Sequence, residues 1–186
     1  MTGNELVTPC YILHKQLLDD GLKLLRDSLE KYWNNYEIGY SFKTNSLPWV
    51  VAYMQENGIS AEVVSKDEYL LAKKGVSKDF KEEWNWRRYM IEGKMFVAVC
   101  FDDNNKESLI TLKLDPIEGD LLRQSYKDII PGYYMNKVHW NSVKADGNVP
   151  DALMREMLEK SYRLVLGGFS KKKQRALLEG EKKDAI

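Results

Sequence analysis

The chain has 186 residues, 44% of them hydrophobic and 30% charged, enough for one large domain or a small one with an extension. Its 28 Lys/Arg balance 28 Asp/Glu, so a formal net charge of zero excludes any global attraction to nucleic acid, and binding of that kind needs a local patch. The charge is uneven: residues 1–63 hold five Lys/Arg against eight Asp/Glu, and the remainder carries +3. Cys10 and Cys100 are far apart, lie among apolar residues and form no CxxC, which points to reduced thiols and to neither a disulfide framework nor a zinc site. No basic-then-apolar leader and no run of about 18 apolar residues is present, so the expected location is cytoplasmic.

Val7 to Leu13 suits a strand. Lys15 to Tyr32 carries Leu17, Leu18, Leu22, Leu24, Leu25 and Leu29 at helical spacing. Glu37–Phe42 reads as a second strand. A helix starts at Ser46-Leu47-Pro48 and runs to Asn57, with Gly58 as its stop. Ala61–Val64 is a third strand, and Ser65 with Glu68 forms a capping box for the next helix. This alternation predicts βα units and a parallel sheet.

After Gly75 the pattern changes. Trp86–Ile91 and Lys94–Phe101 are strands joined by the tight turn Glu92-Gly93. Asp102–Lys106 is a polar turn rather than a metal site, and Leu109–Leu114 a further strand. Asp115-Pro116 opens a helix. Met135–Ala145 is another strand, stopped by Asp146-Gly147-Asn148. Pro150–Leu166 is a strong helix ending at Gly167-Gly168, and the tail from Ser170 is basic, then helix-prone.

Thr8-Pro9-Cys10-Tyr11-Ile12-Leu13, Tyr40-Ser41-Phe42-Lys43-Thr44-Asn45 and Ala61-Glu62-Val63-Val64-Ser65 resemble the opening of fold-type III pyridoxal-phosphate (PLP) enzymes, the diaminopimelate and ornithine decarboxylases and alanine racemases. The resemblance implies that Lys43 matches the Schiff-base lysine. About two of eight βα units are present, too few to close a barrel. Residues 1–65 therefore read as a truncated, inactive PLP-barrel-like segment, a βαβαβ fragment joined to a second domain within Lys66–Lys74. Such a fragment has to dock on the second domain, dimerise or bind a protein partner to cover its edges, or else be poorly ordered.

From Asp67 onward the series Lys74-Gly75-Val76, Arg88-Tyr89-Met90-Ile91, Gly93-Lys94-Met95-Phe96, Leu112-Lys113-Leu114-Asp115-Pro116 and Gly132-Tyr133-Tyr134-Met135-Asn136-Lys137-Val138-His139-Trp140 resembles the MmcQ/YjbR family. One departure from that series is Trp84-Asn85-Trp86-Arg87, whose role the resemblance leaves open. The resemblance implies an α+β domain over residues 66–178, with helices packed on a curved antiparallel sheet. It implies a fold comparable to secretion chaperones and double-wing DNA binders. Residues 179–186 are a charged tail.

In a strand, Lys137, His139 and Asn141 share one polar face, with Val138, Trp140 and Ser142 on the other. Lysine and asparagine bind phosphate oxygens, and asparagine also reads base edges. With Arg87, Arg88 and Lys94 on the neighbouring hairpin and Lys171, Lys172 and Lys173 after the last long helix, these residues form the expected DNA contact. Trp140 reads as core, with base stacking by Trp140 or Tyr133 the alternative. The competing reading of His139 and the lysine run is structural, a hydrogen-bonded histidine and a solvated tail. The expected function is non-catalytic DNA binding without a cofactor. The alternatives are a PLP-dependent decarboxylase remnant using Lys43 and a protein-interaction adaptor.

Overall fold

The computed structural model describes residues 12–101, 104 and 106–179, which divide into two compact units with the boundary between Ile38 and Gly39. The first holds α1 (Lys15–Leu29), whose N-terminus is closed by His14: its Nδ1 accepts from the Leu17 amide at 3.4 Å. The strand expected over Val7–Leu13, and Cys10 with it, lies outside the described residues apart from Ile12 and Leu13, which are not in a strand.

In the second unit, β1 (Gly39–Ser41) leads through a short 3-10 turn, Phe42–Thr44, into α2 (Pro48–Glu56). β2 (Ser60–Glu62) then pairs with β1 in parallel, as the βα alternation predicts, though both strands are shorter than expected. Their local core is Phe42, Val50, Tyr53 and Ile59, all buried. α3 (Lys66–Leu71) begins at Ser65, whose Oγ accepts from the Glu68 amide at 3.1 Å. The Glu68 carboxylate reaches back one residue further than a capping box requires, accepting from the Val64 amide at 2.8 Å.

The rest forms one antiparallel sheet with one α-helix between its strands and two after them. In chain order it contains β3 (Val76–Lys81), β4 (Trp86–Ile91), β5 (Lys94–Phe101), β6 (Glu107–Lys113), α4 (Pro116–Ser125), β7 (Ile129–Pro131), β8 (Trp140–Lys144) and α5 (Asp151–Gly167), followed by α6 (Lys171–Glu179). The spatial order is β3-β4-β5-β6-β8-β7. The α+β architecture is thus the expected one, with an antiparallel sheet and packed helices. The β4–β5 turn takes positive φ at both central residues, Glu92 at 47° and Gly93 at 74°, the twist-matched geometry of a two-residue hairpin. Asp115 caps α4 by accepting from the amides of Ile117 at 3.0 Å and Glu118 at 3.4 Å, with Pro116 in the first turn.

One face of the sheet carries Tyr89, Ile91, Val97, Val99, Ile110, Leu112 and Val143 into a common core. α5 covers it with Met154, Met157, Leu158, Tyr162 and Val165, a helical stripe. Phe96, Leu112 and Met157 are completely buried, and each such side chain stabilises the fold by roughly 1.5–3 kcal/mol. The pairing shifts between Tyr89 opposite Val97 and Met90 opposite Met95, leaving Phe96 as an extra residue in β5. Buried Ser161 meets that bulge: its hydroxyl donates to the Phe96 carbonyl at 2.5 Å and accepts from the Lys113 amide at 2.8 Å. At the other margin, Asp67 of α3 accepts from Lys78 of β3 at 2.8 Å and from the Tyr89 hydroxyl of β4. Burial raises the Asp67 carboxyl, but those two hydrogen bonds outweigh it and leave the group below the ordinary aspartate range. Burial first, and then the Asp67 carboxylate, push the Tyr89 phenol well up.

Two strands carry no strand signal in the sequence. β3 is exposed at four successive positions, Ser77 to Phe80, so it shows no alternation to read. β7 has three residues and ends in proline.

Replacing Ser161 by Ala leaves the Lys113 amide unpartnered in a buried setting, and urea unfolding is expected to show a loss of about 1–3 kcal/mol. Because the folded Asp67 carboxyl is depressed, its contribution is full above the aspartate pKa of the unfolded chain, about 3.9. It is lost as pH falls through the lower folded value. Acid titration of the unfolding midpoint is expected to fall less steeply below pH ~4 in Asp67→Asn than in the unaltered chain; equal slopes contradict the assignment.

Candidate functional site

A groove of about 440 Å³ opens at the end of the sheet where β5 begins and β6 finishes. Lys94, Lys113, Asn136 and His139 line it, with Trp140 and Val165 among its apolar walls. Each ammonium is propped on a ring: Lys94 Nζ stands 4.3 Å from the centre of Phe169 and Lys113 Nζ 5.0 Å from that of Trp140. Such contacts hold a cation in place while leaving its charge available. Lys94 also approaches the Gly168 carbonyl at 3.5 Å, near the limit of a hydrogen bond. Among the described residues no carboxylate pairs with Lys94, Lys113 or Lys137.

The groove's lower lip is a turn rather than the strand expected from Met135. Tyr134 takes φ 52°, which interrupts extended backbone. The Asn136 side chain then accepts from the Val138 amide at 2.9 Å, and its carbonyl accepts from Trp140 at 3.0 Å. An asparagine that closes its own turn competes with strand pairing. β8 therefore begins only at Trp140, and the face that Lys137, His139 and Asn141 were expected to share does not form. Lys137, Val138 and His139 are exposed on the turn. Asn141 is wholly buried, accepting from Arg123 of α4 and donating to the His139 carbonyl at 3.3 Å. It fastens α4 to β8 and offers nothing to a ligand. Trp140 is buried, as a core residue should be.

The other predicted contacts divide. Arg88 forms a two-pronged pair with Asp79, directly opposite on β3, at 2.8 and 2.6 Å. Arg87 pairs with Glu107 at 3.3 Å and lies over Phe101. Both lie toward the far end of β4 from Lys94, with their charge answered inside the protein. Lys173 pairs with Glu92 at 3.1 Å, bringing the start of α6, with exposed Lys171 and Lys172, to the β4–β5 turn next to Lys94. Lys113 does not stand out in the sequence, because a lysine ending an apolar strand gives no signal of its own. Lys43 is exposed in the 3-10 turn after β1. Burial pushes the Cys100 thiol up to about 11, which keeps it protonated and unreactive at neutral pH. Among the described residues there is no cluster of three or more metal-ligating side chains, and no helix is long and apolar enough to cross a membrane.

The family model YjbR matches residues 71–164. The chain is 28% identical over 112 residues to an Escherichia coli protein named "Uncharacterized protein YjbR", spanning 60% of this chain and 93% of that one. It is 36% identical over 92 residues to the E. coli "Uncharacterized protein YbdF", covering 50% and 74%. The crystal structure of Deinococcus radiodurans protein DR2400, a DUF419 domain, superposes with a TM-score of 0.50 at 29% identity, covering 61% of this chain and 87% of that one. The family match begins at residue 71, and the expected likeness of residues 1–65 to PLP enzymes finds no support in these similarities.

Gly132 packs against Trp140 so closely that a β-carbon would lie 2.5 Å from the Trp140 Cβ and 2.9 Å from its carbonyl oxygen. Gly132→Ala is expected to cost about 1–3 kcal/mol, read by denaturant unfolding, and to shift the amide resonances of residues 136–139 at the groove.

Proposed function

The chain belongs to the YjbR family, and from that premise we propose that it binds nucleic acid, gripping DNA phosphates in the groove between β5, β6 and the end of α5. The observation that carries this reading is the gathering of Lys94, Lys113 and His139 in one groove, with no carboxylate answering either lysine among the described residues. In a chain of zero net charge a polyanion has to be met by such a patch. Lys137 on the adjoining turn and Lys171 and Lys172 at the start of α6 extend the same positive surface. Ammonium and imidazole groups without base-reading partners suit backbone contact more than sequence readout, so weak sequence preference is part of the proposal. The protein acts in this reading by binding, without catalysis or a cofactor, in the cytoplasm.

The test is a titration of the full chain into a short fluorescent duplex at about 50 and 200 mM salt. Binding should weaken steeply with salt, because phosphate contacts release counterions. Lys94→Ala and Lys113→Ala should each flatten the log–log salt slope by about 0.9, whereas Arg88→Ala, already paired with Asp79, should leave it unchanged. No binding at the lower salt, or a slope indifferent to both lysines, defeats the proposal. Salt-insensitive capture of a protein partner would favour an adaptor.

A further inference from the structure

At the opposite end of β5, on the sheet face that α5 leaves uncovered, lies a second and larger cavity of about 1240 Å³. Its floor includes Trp86, Cys100 and Leu109, which with Met135 form a small apolar cluster separate from the main core. One wall is Trp84-Asn85-Trp86, the segment that departs from the family-like series. The other is Tyr133-Tyr134-Met135. The rings stand against one another in pairs, Trp84 and Trp86 at 5.5 Å and nearly edge-on, Tyr133 and Tyr134 at 4.3 Å.

Both walls hold unusual backbone. Among the described residues three non-glycines have positive φ: Glu92 in the hairpin turn, Asn85 at 55° and Tyr134 at 52°. Asparagine tolerates this conformation, but tyrosine does so only at a cost. Tyr134 nevertheless leaves 83% of its surface exposed, and Trp84 leaves 52%. Aromatic rings held out in this way contribute little to the fold, and strained positions of this kind gather where something is bound.

The lining also has a sign. Glu82, Glu83, Glu107 and Asp146 face Lys106 and Lys144. Glu83 and Glu107 are paired with Lys81 and Arg87, but neither Glu82 nor Asp146 has an ion-pair partner among the described residues. The Trp84 ring already draws two cations to its edge of reach, Lys81 Nζ at 5.9 Å and the Arg88 guanidinium at 5.8 Å. Tryptophan and tyrosine faces attract positive charge, more so when carboxylates stand nearby. A volume at or above that of ordinary small-molecule pockets suits an organic body rather than a bare ion.

We propose that this cavity is a binding site for an organic cation, an ammonium group carried on an aromatic or aliphatic body. The ammonium lies among Trp84, Tyr133, Tyr134 and the Glu82 carboxylate, and the apolar body rests on Trp86, Leu109 and Met135. The site shares no lining residue with the nucleic-acid groove, whose charge is of the opposite sign.

Benzyltrimethylammonium is the probe, with benzyl alcohol and benzenesulfonate as its neutral and anionic counterparts, each titrated into the full chain by calorimetry and tryptophan fluorescence. The cation should bind about tenfold tighter than either counterpart. Tyr134→Gly removes the ring and suits the left-handed backbone, so it should weaken binding about fivefold, in the range of one cation–aromatic contact, while the thermal midpoint holds or rises. Trp84→Ala and Glu82→Gln should weaken it similarly, and Lys94→Ala should not. Equal binding of the three probes, no binding of any, or full affinity in Tyr134→Gly overturns the proposal. Tyr134→Gly decides the matter should Trp84→Ala fail to fold.

Discussion

Ser161 fastens α5 to the sheet at two points, the bulge carbonyl of Phe96 and the amide of Lys113. A polar group in this completely buried position would be a liability if either bond were missing. With both made, it fixes where along the sheet the helix lies. The apolar stripe of α5 alone would permit small slides and rotations, since hydrophobic contact is non-directional. The groove at the start of β5 depends on that registration. Val165 and Gly168 form part of its rim, and the Lys113 backbone is held by the same serine whose helix builds the wall. A bulge that looks like an irregularity of the ladder is in this sense the socket for the helix.

The strands of this sheet carry arginine and lysine to two different fates. Arg87 and Arg88 find carboxylates on other strands, Arg88 in the planar two-pronged geometry that guanidinium favours. Lys94 and Lys113 find aromatic rings instead. The first arrangement spends charge on holding strands together; the second supports the stem and keeps the charge outward. β5 spans eight residues, about 23 Å at roughly 3.3 Å per residue. Its two ends therefore meet surroundings of different sign without cancelling one another.

Much of the fold is legible in the sequence because its signals are local. Glu92-Gly93, Asp115-Pro116, Ser65 with Glu68, and the run from Pro150 to Gly167-Gly168 each name their element and nearly its limits. β3 is not legible because it lies at the margin with most of its side chains in solvent, so no burial period marks it. The site is legible only in part. Lys94, Lys137 and His139 stand out as polar residues amid apolar ones, and the groove includes or adjoins them. Asn141 looks the same in sequence, yet the turn that Asn136 closes shifts the strand start, and the partner that claims its side chain, Arg123, lies 18 residues away. Lys113 is hidden for the converse reason: what makes it available is a tryptophan brought across by sheet pairing. Long-range pairing decides both cases, and residue spacing does not record it.

The two outer strands of the sheet also govern how copies of this chain behave when crowded. An open ladder edge is a template for another molecule's strand. Here one edge, β3, sets Lys78, Asp79 and Lys81 along its length, and Lys78 and Asp79 are bound to Asp67 and Arg88. The opposite edge, β7, is three residues long and closes with Pro131, which has no amide hydrogen to offer. Neither margin offers another strand a long, unencumbered ladder to extend.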